Sequence, residues 1–204
     1  MRREFHVRFC EGPGVQFPRA TRLVVMCRTT KDCEEAERRV RIILGRLKLE
    51  LHPEKTRRVD LSRGEDGFDF LGCHLRKRMS GVIWERKRKR VYYLQRWPAK
   101  RSMKRVRARV KELTGRSQVG KHLPSLIRAI NPVLRGWGNY FRTGNAAVKF
   151  GQVDDYVVER LRGLMVKRKG RHLVAGETSR WTRDYFEAFG LHRLRGTVQY
   201  PEAA

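Results

Sequence analysis

The chain has 204 residues, 48 Lys and Arg against 21 Asp and Glu, a formal net charge of +27 and a pI near 11.1. Its 40% hydrophobic content supports a packed core and excludes a wholly disordered basic tail, and no apolar run approaches the roughly 18 residues of a membrane-spanning helix. Charge this one-sided calls for a polyanion, nucleic acid ahead of an acidic membrane surface. The first residues, MRREFHVRFCEG, have no apolar signal core, so an intracellular, cytoplasmic location is expected. Cys10, Cys27, Cys33 and Cys73 form no CxxC pair and the histidines make no metal-spaced pair. Reduced core thiols and no bound metal are the expectation.

Taken in chain order, Leu23–Cys27 is a short run of β-formers and reads as a buried strand. Thr29 or Thr30 then caps a helix with Asp32, Glu34 and Glu35 in its first turn. Cys33, Ala36, Val40, Ile43 and Leu47 make its predicted apolar stripe. Leu47, Leu49 and Leu51 alternate with charges, and Pro53 ends that run. Val59–Leu61 and Phe68–Leu71 alternate about a turn with Gly64 and Gly67, which predicts a hairpin; a second is predicted between His74 and Leu94. Beyond Pro98 the period becomes helical. One helix carries Met103, Val106, Val110 and Leu113 inward; another starts near Pro124, with Pro132 kinking it or opening a new one. A third places Val153, Tyr156, Val157, Leu161, Leu164 and Met165 on one face and ends before Gly170, and the last residues form an aromatic-rich appendage. Strand, helix, strands and then helices give an α+β segment followed by a helical bundle.

Between Arg76 and Lys111 stand sixteen Lys or Arg and one acid, Glu85. A solvated face mixes signs to limit repulsion, so this stretch reads as a nucleic-acid contact. Tyr92, Tyr93 and Trp97 interleave with the charges, although core packing is the commoner fate of each. In INPVLRGWGNYFRTGN, residues 130–145, Trp137 and Phe141 share an inward face. Arg135, Asn139 and Arg142 occupy another, suited to an RNA backbone. Lys167, Arg168 and Lys169 form a third basic cluster and candidate RNA contact at a helix end, where the dipole equally favours cations. No zinc finger, basic zipper or compact recognition helix is visible, which favours folded RNA over duplex DNA.

LELHPEKT at 49–56 followed by GFDFLGCHL at 67–75 resembles the end of the palm of group II intron reverse transcriptases. The segment from Ser102 through INPVLRGWGNYFRTGN to about Arg171 resembles their thumb, or maturase-specific, domain. The resemblance divides the chain into a divergent segment 1–22, a palm-like part 23–97 (a short antiparallel sheet with one helix), a helical thumb 98–171 and an appendage 172–204. It implies a protein that binds its intron RNA and helps it fold for splicing. It further implies RNA contacts by Lys55, by Arg86, Lys87, Arg88, Lys89 and Arg90, by Lys104, Arg105, Arg107, Arg109 and Lys111, and by Arg135, Asn139 and Arg142.

The resemblance breaks at the polymerase centre. Where the family has Tyr-Ala-Asp-Asp before the first apolar strand, this chain has Arg19, Ala20, Thr21 and Arg22. A hydroxyl and a guanidinium do not replace two carboxylate ligands of Mg²⁺. The expectation is therefore no catalytic residues, no cofactor and no polymerase activity in this chain alone, Mg²⁺ belonging to complete family members. The tail from His172 shows no His/Asn or cysteine-pair motif of a DNA endonuclease. Two alternatives stand beside an RNA-binding maturase: a reverse transcriptase completed by a separate fingers–palm chain, and a degenerate mobile-element remnant.

Overall fold

The computed structural model describes residues 22–53, 56–62, 64–81, 85–86 and 88–199, together with the backbone of residues 3–10; for Arg22, too, only the backbone is described. The chain divides into two compact units, Met1–Gln95 and Arg96–Ala204.

In the first unit, β1 (Arg3–Cys10) pairs antiparallel with β2 (Arg22–Cys27), Phe5 opposite Val25. It also pairs with β3 (Glu50–Leu51) through Phe9 and Cys10, and with β4 (Arg57–Val59) through Glu4–His6. The divergent segment thus supplies the strand that joins the others. Helix α1 (Thr30–Arg46) begins with a capping box: Thr29 Oγ1 accepts from the Asp32 N–H at 3.1 Å and Asp32 Oδ2 from the Thr29 N–H at 3.0 Å.

Its inward stripe runs Cys33, Ala36, Val40, Leu44, the first and last buried and the middle two partly so, packed with Cys27 and Leu51. Ile43 and Leu47, expected inward, are 55% and 63% exposed, because the stripe advances by four residues after Val40 and reaches Leu44 instead. β2 also departs from the buried reading: only Cys27 is buried, and Leu23 and Met26 lie open, because β2 has β1 as its one strand neighbour among the described residues. Cys27, Cys33 and Cys73 are free thiols, and burial pushes the first two above the usual thiol value. Cys73, expected in the core, is half-buried.

The expected hairpin between Val59–Leu61 and Phe68–Leu71 does not form, since β4 pairs with β1. β5 (Gly67–Phe70) turns instead into β6 (Cys73–Met79), with Phe70 opposite Cys73. Leu71 and Gly72 make the two-residue turn, with φ of 46° and 78°. Two successive positive φ values define the primed turn that matches strand twist. β7 (Tyr92–Pro98) completes a three-stranded sheet in the order β5-β6-β7, and the Ser80 N–H donates to the Val91 carbonyl at 2.9 Å. This is the predicted second hairpin. Val59, Leu61 and Phe68 form a small core with Val24, Phe70 and Leu75 against it.

The second unit is built on three helices, α2 (Lys100–Leu113), α3 (Leu123–Phe141) and α4 (Ala147–Lys169). Met103, Val106 and Val110 of α2 are buried as their spacing predicts. α3 runs unbroken through Pro132, burying Leu126, Ile127, Ile130, Leu134 and Phe141. Trp137 stacks between Phe141 and Phe150 at centroid distances of 5.0 and 5.4 Å. α4 buries Phe150, Val153, Val157, Leu161 and Leu164 and stops at Gly170, whose φ is 53°. The α3–α4 turn is tied to the end of β7: the Asn145 N–H donates to the Arg96 carbonyl at 2.7 Å, and the Arg96 guanidinium reaches Thr143 Oγ1. Arg160 of α4 reaches Thr114 Oγ1 at 3.0 Å and the Thr114 carbonyl at 3.1 Å, satisfying the C-terminal end of α2.

Two short helices, α5 (Glu177–Arg180) and α6 (Arg183–Ala188), carry the chain back over the bundle. Trp181, Phe186, Leu191 and Leu194 are buried there, so the appendage is part of this unit's core. Asp154 lies inside α4 and is 4% exposed. Its carboxylate accepts from the Leu194 N–H at 3.0 Å and the Arg195 N–H at 2.8 Å, with Arg183 at 3.5 Å. Among the described residues no helix is long and apolar enough to cross a membrane.

Candidate nucleic-acid interface

Two helices of this basic chain treat their charges in opposite ways. On α1, in the first unit, carboxylates answer the arginines. Glu35 pairs with Arg38 and Arg39 at 2.7 Å each, and Glu37 with Arg41 at 2.7 Å and Arg58 at 2.8 Å. The two guanidiniums hold the Glu35 carboxyl down to about 2. That is a solvated, self-neutralised face.

α2, in the second unit, has no acidic residue in its first turn and no side-chain cap. Lys100, Arg101, Lys104 and Arg105 are all exposed there, and none makes an ion pair among the described residues. Cations at a helix N-terminus oppose the macrodipole, by about 0.3–1 kcal/mol each when exposed. Among the described residues no carboxylate offsets that cost, whereas a phosphate placed there would be attracted by the side chains and the helix end together. Lys100 and Arg101 belong to the basic window, but spacing alone did not single them out.

The other expected contacts divide according to what they touch. Arg107 is half-buried with its guanidinium 5.6 Å from the centroid of the Tyr156 ring, so packing occupies it. Arg109 pairs with Glu112 at 2.6 Å, and Lys111 is exposed. Arg168 donates to the Val119 carbonyl at 3.0 Å and to the Lys121 carbonyl, and Lys169 pairs with Glu177 at 2.8 Å. In the knot at the end of α4, then, two of the three cations hold neighbouring chain segments, and Lys167 points to solvent. In the first unit Arg86, Arg88, Lys89 and Arg90 are exposed. Tyr92 and Tyr93 are exposed as well, at 40% and 50%, where core packing was expected. Lys55, Lys87, Arg19, Ala20 and Thr21 lie outside the described residues.

Arg135, Asn139 and Arg142 do come together. Arg135 and Asn139 of α3 and Arg142 at its C-terminal cap line one cleft of about 340 Å³ with Gly138, and residues His192, Thr197 and Gln199 of the appendage form the rest of its wall. Among the described residues no acidic side chain lines it. Burial, then the Arg135 charge, pushes the His192 imidazole below the usual histidine value, so it is neutral at pH 7. The wall is held by backbone bonds. Asn131 Oδ1 accepts from the His192 N–H at 2.9 Å, the Arg142 carbonyl accepts from the Gln199 N–H at 2.8 Å, and Asp154 grips Leu194 and Arg195. The sequence reading supplied the helical face of this cleft and missed the wall from 192–199, because the residues joined there are far apart in the chain, 61 positions for Asn131 and His192 and 40 for Asp154 and Leu194.

Residues 103–186 match the family model of the group II intron, maturase-specific domain. The match opens at Met103 in α2 and passes Arg171, where the resemblance was expected to fade, to reach Phe186 in α6. Comparison with curated proteins returns no match.

Proposed function

We propose that the chain is an RNA-binding protein of the group II intron maturase type, which binds intron RNA and assists its folding and splicing without polymerase activity of its own. The observation that carries this reading is the unpaired quartet Lys100, Arg101, Lys104 and Arg105 on the first turns of α2, at the start of the stretch that matches the maturase-specific domain. A charge arrangement that the fold itself leaves unanswered is suited to a polyanion. Exposed Lys111 and Arg135 and half-buried Arg142 extend the same chemistry over the second unit, and exposed Arg86, Arg88, Lys89 and Arg90 over the first.

In this reading residues 23–97 are a palm-like part retained as scaffold, and 98–171 the thumb. The residues at 19–22 do not fit Mg²⁺, because a guanidinium and a hydroxyl offer the ion no anionic oxygen. No step is routed through a metal. The protein's contribution is to neutralise phosphates that would otherwise keep RNA helices apart, and to hold the RNA surface in one arrangement.

The test is binding of the cognate intron RNA against an unrelated RNA of equal length across a salt series. Neutralising about 6–10 phosphates costs roughly 10³–10⁵ in affinity between 50 and 200 mM salt. A steep slope with preference for the intron supports the reading. A flat slope, or equal binding of both RNAs, refutes it.

A second reading is favoured by one separate observation. Ile42, Ile43 and Leu47 of α1, and Leu23 and Met26 of β2, are open apolar side chains of the first unit. Such a surface suits docking on a separate fingers–palm chain that would complete a reverse transcriptase. Co-expression with a chain of that kind, followed by primer extension, distinguishes the two: DNA synthesis by the pair alone supports docking, and none by either supports the maturase reading.

A further inference from the structure

We infer that the cleft formed by α3 and the appendage takes a single unpaired ribonucleotide of the bound RNA, clamping its phosphate and reading its base edge. The inference rests on the RNA-binding reading and adds a site to it.

The cleft is preformed. Its helical side is one face of α3, and its other side is a backbone segment fixed at three points, by Asn131, Asp154 and the Arg142 carbonyl. At Gly138 the segment comes so close that a Cβ would meet Leu194 Cδ2 at 2.6 Å. A larger residue there would force the buried Leu194 side chain to shift. Preformed sites avoid the ordering cost that a flexible tail would add to binding.

Size and chemistry select the occupant. A volume of about 340 Å³ lies at the small end of ligand sites. It accommodates one nucleotide and not a duplex, whose phosphates sit on a convex surface and whose bases are stacked away. Arg135 and Arg142 bring two guanidiniums with no ion pair among the described residues, the geometry for a phosphate. Asn139 and Gln199 each offer an amide donor and acceptor, and neither side chain is engaged in a hydrogen bond among the described residues. Paired donor and acceptor groups match the Watson–Crick edge of a base, which only an unpaired nucleotide exposes. Inorganic phosphate alone would have no use for two carboxamides. Thr197 donates its hydroxyl to the Leu194 carbonyl at 2.7 Å, so toward the cleft it is an acceptor.

The test uses the full chain and two short RNA hairpins identical except for one bulged nucleotide. Each hydrogen bond to the bulged base contributes about two- to ten-fold in affinity, so the bulged hairpin is expected to bind at least several-fold more tightly. Asn139→Ala with Gln199→Ala removes that preference, so that the variant binds the two hairpins alike. Lys104→Ala with Arg105→Ala weakens both hairpins alike and keeps the preference. Thermal melts of both variants verify folding, the four side chains being exposed. Equal binding of the two hairpins by the wild type overturns the inference and leaves RNA binding standing, as does a preference that survives Asn139→Ala with Gln199→Ala. Failure to bind either hairpin overturns the RNA-binding reading and the inference with it.

Discussion

Replacing Asp154 by Ala should detach the appendage from the helical unit. The carboxylate accepts two backbone N–H groups, from Leu194 at 3.0 Å and Arg195 at 2.8 Å. An N–H left buried without an acceptor costs about 1–3 kcal/mol. Leu194 is fully buried and should lie in the upper part of that range, and the partly buried Arg195 N–H in the lower part. Arg183 keeps Asp155 as a partner and contributes little. Burial holds the Asp154 carboxyl above the usual carboxylate value, so removing it also relieves some desolvation. The net expectation is a loss of about 2–4 kcal/mol. Asp154→Asn, which retains one carbonyl acceptor, should lose about half as much. Urea unfolding followed by tryptophan fluorescence measures both, with Trp181 buried in the affected region. Because the carboxyl is raised, its protonation adds stability to the native chain at low pH, and that increment, not the two N–H bonds, is lost as pH rises through the native value, a dependence that Asp154→Asn removes. A loss below about 0.5 kcal/mol for Asp154→Ala, the range of an ordinary surface substitution, would refute the claim that this clasp holds the tail.

Gly136→Ala should stabilise α3 by about 0.5–1 kcal/mol, since nothing lies within 4 Å of its added Cβ. Gly138→Ala should forgo that gain or destabilise, because its Cβ meets Leu194; thermal melts of the two variants side by side decide it. Lys104→Ala and Arg105→Ala should each reduce the salt slope of RNA binding by about one phosphate contact, whatever the RNA sequence; a slope equal to that of the wild type removes α2 from the interface. His192 is neutral in the free protein because of burial and Arg135, with Asp154 opposing that shift. A phosphate in the cleft favours its protonation, so RNA binding should tighten as pH falls below the ordinary histidine value and His192→Gln should flatten the profile. A pH profile unchanged by His192→Gln places the phosphate elsewhere.

The helical unit was legible in the sequence because its signals are local. Met103, Val106 and Val110 repeat at helical spacing, Gly170 marks a stop, and each acts within a turn or two of the chain. The sheet was less so. Leu71-Gly72 forms a primed turn with Leu at a position where Asn or Asp usually signals it, and β4 pairs with a strand from the divergent first residues. On α1 the stripe was read one residue early, at Ile43 instead of Leu44, since both satisfy a three- or four-residue step from Val40. At the interface, Arg135, Asn139 and Arg142 were visible as one helical face. Asp154 was not visible as a clasp, because a carboxylate's partners forty residues away leave no trace in spacing. Arg107 and Arg168 look like free cations in the sequence, yet the fold gives them a ring and carbonyls to hold.

The central claim is that the cationic surface of this chain serves RNA structure and not nucleotide polymerisation. Splicing of the cognate precursor RNA in vitro at low Mg²⁺, with and without the purified protein, tests it most directly. The account predicts splicing only when the wild-type protein is present, and its loss with Lys104→Ala and Arg105→Ala. Splicing that is equally slow with and without the protein, in RNA shown to be otherwise competent at high Mg²⁺, would contradict it.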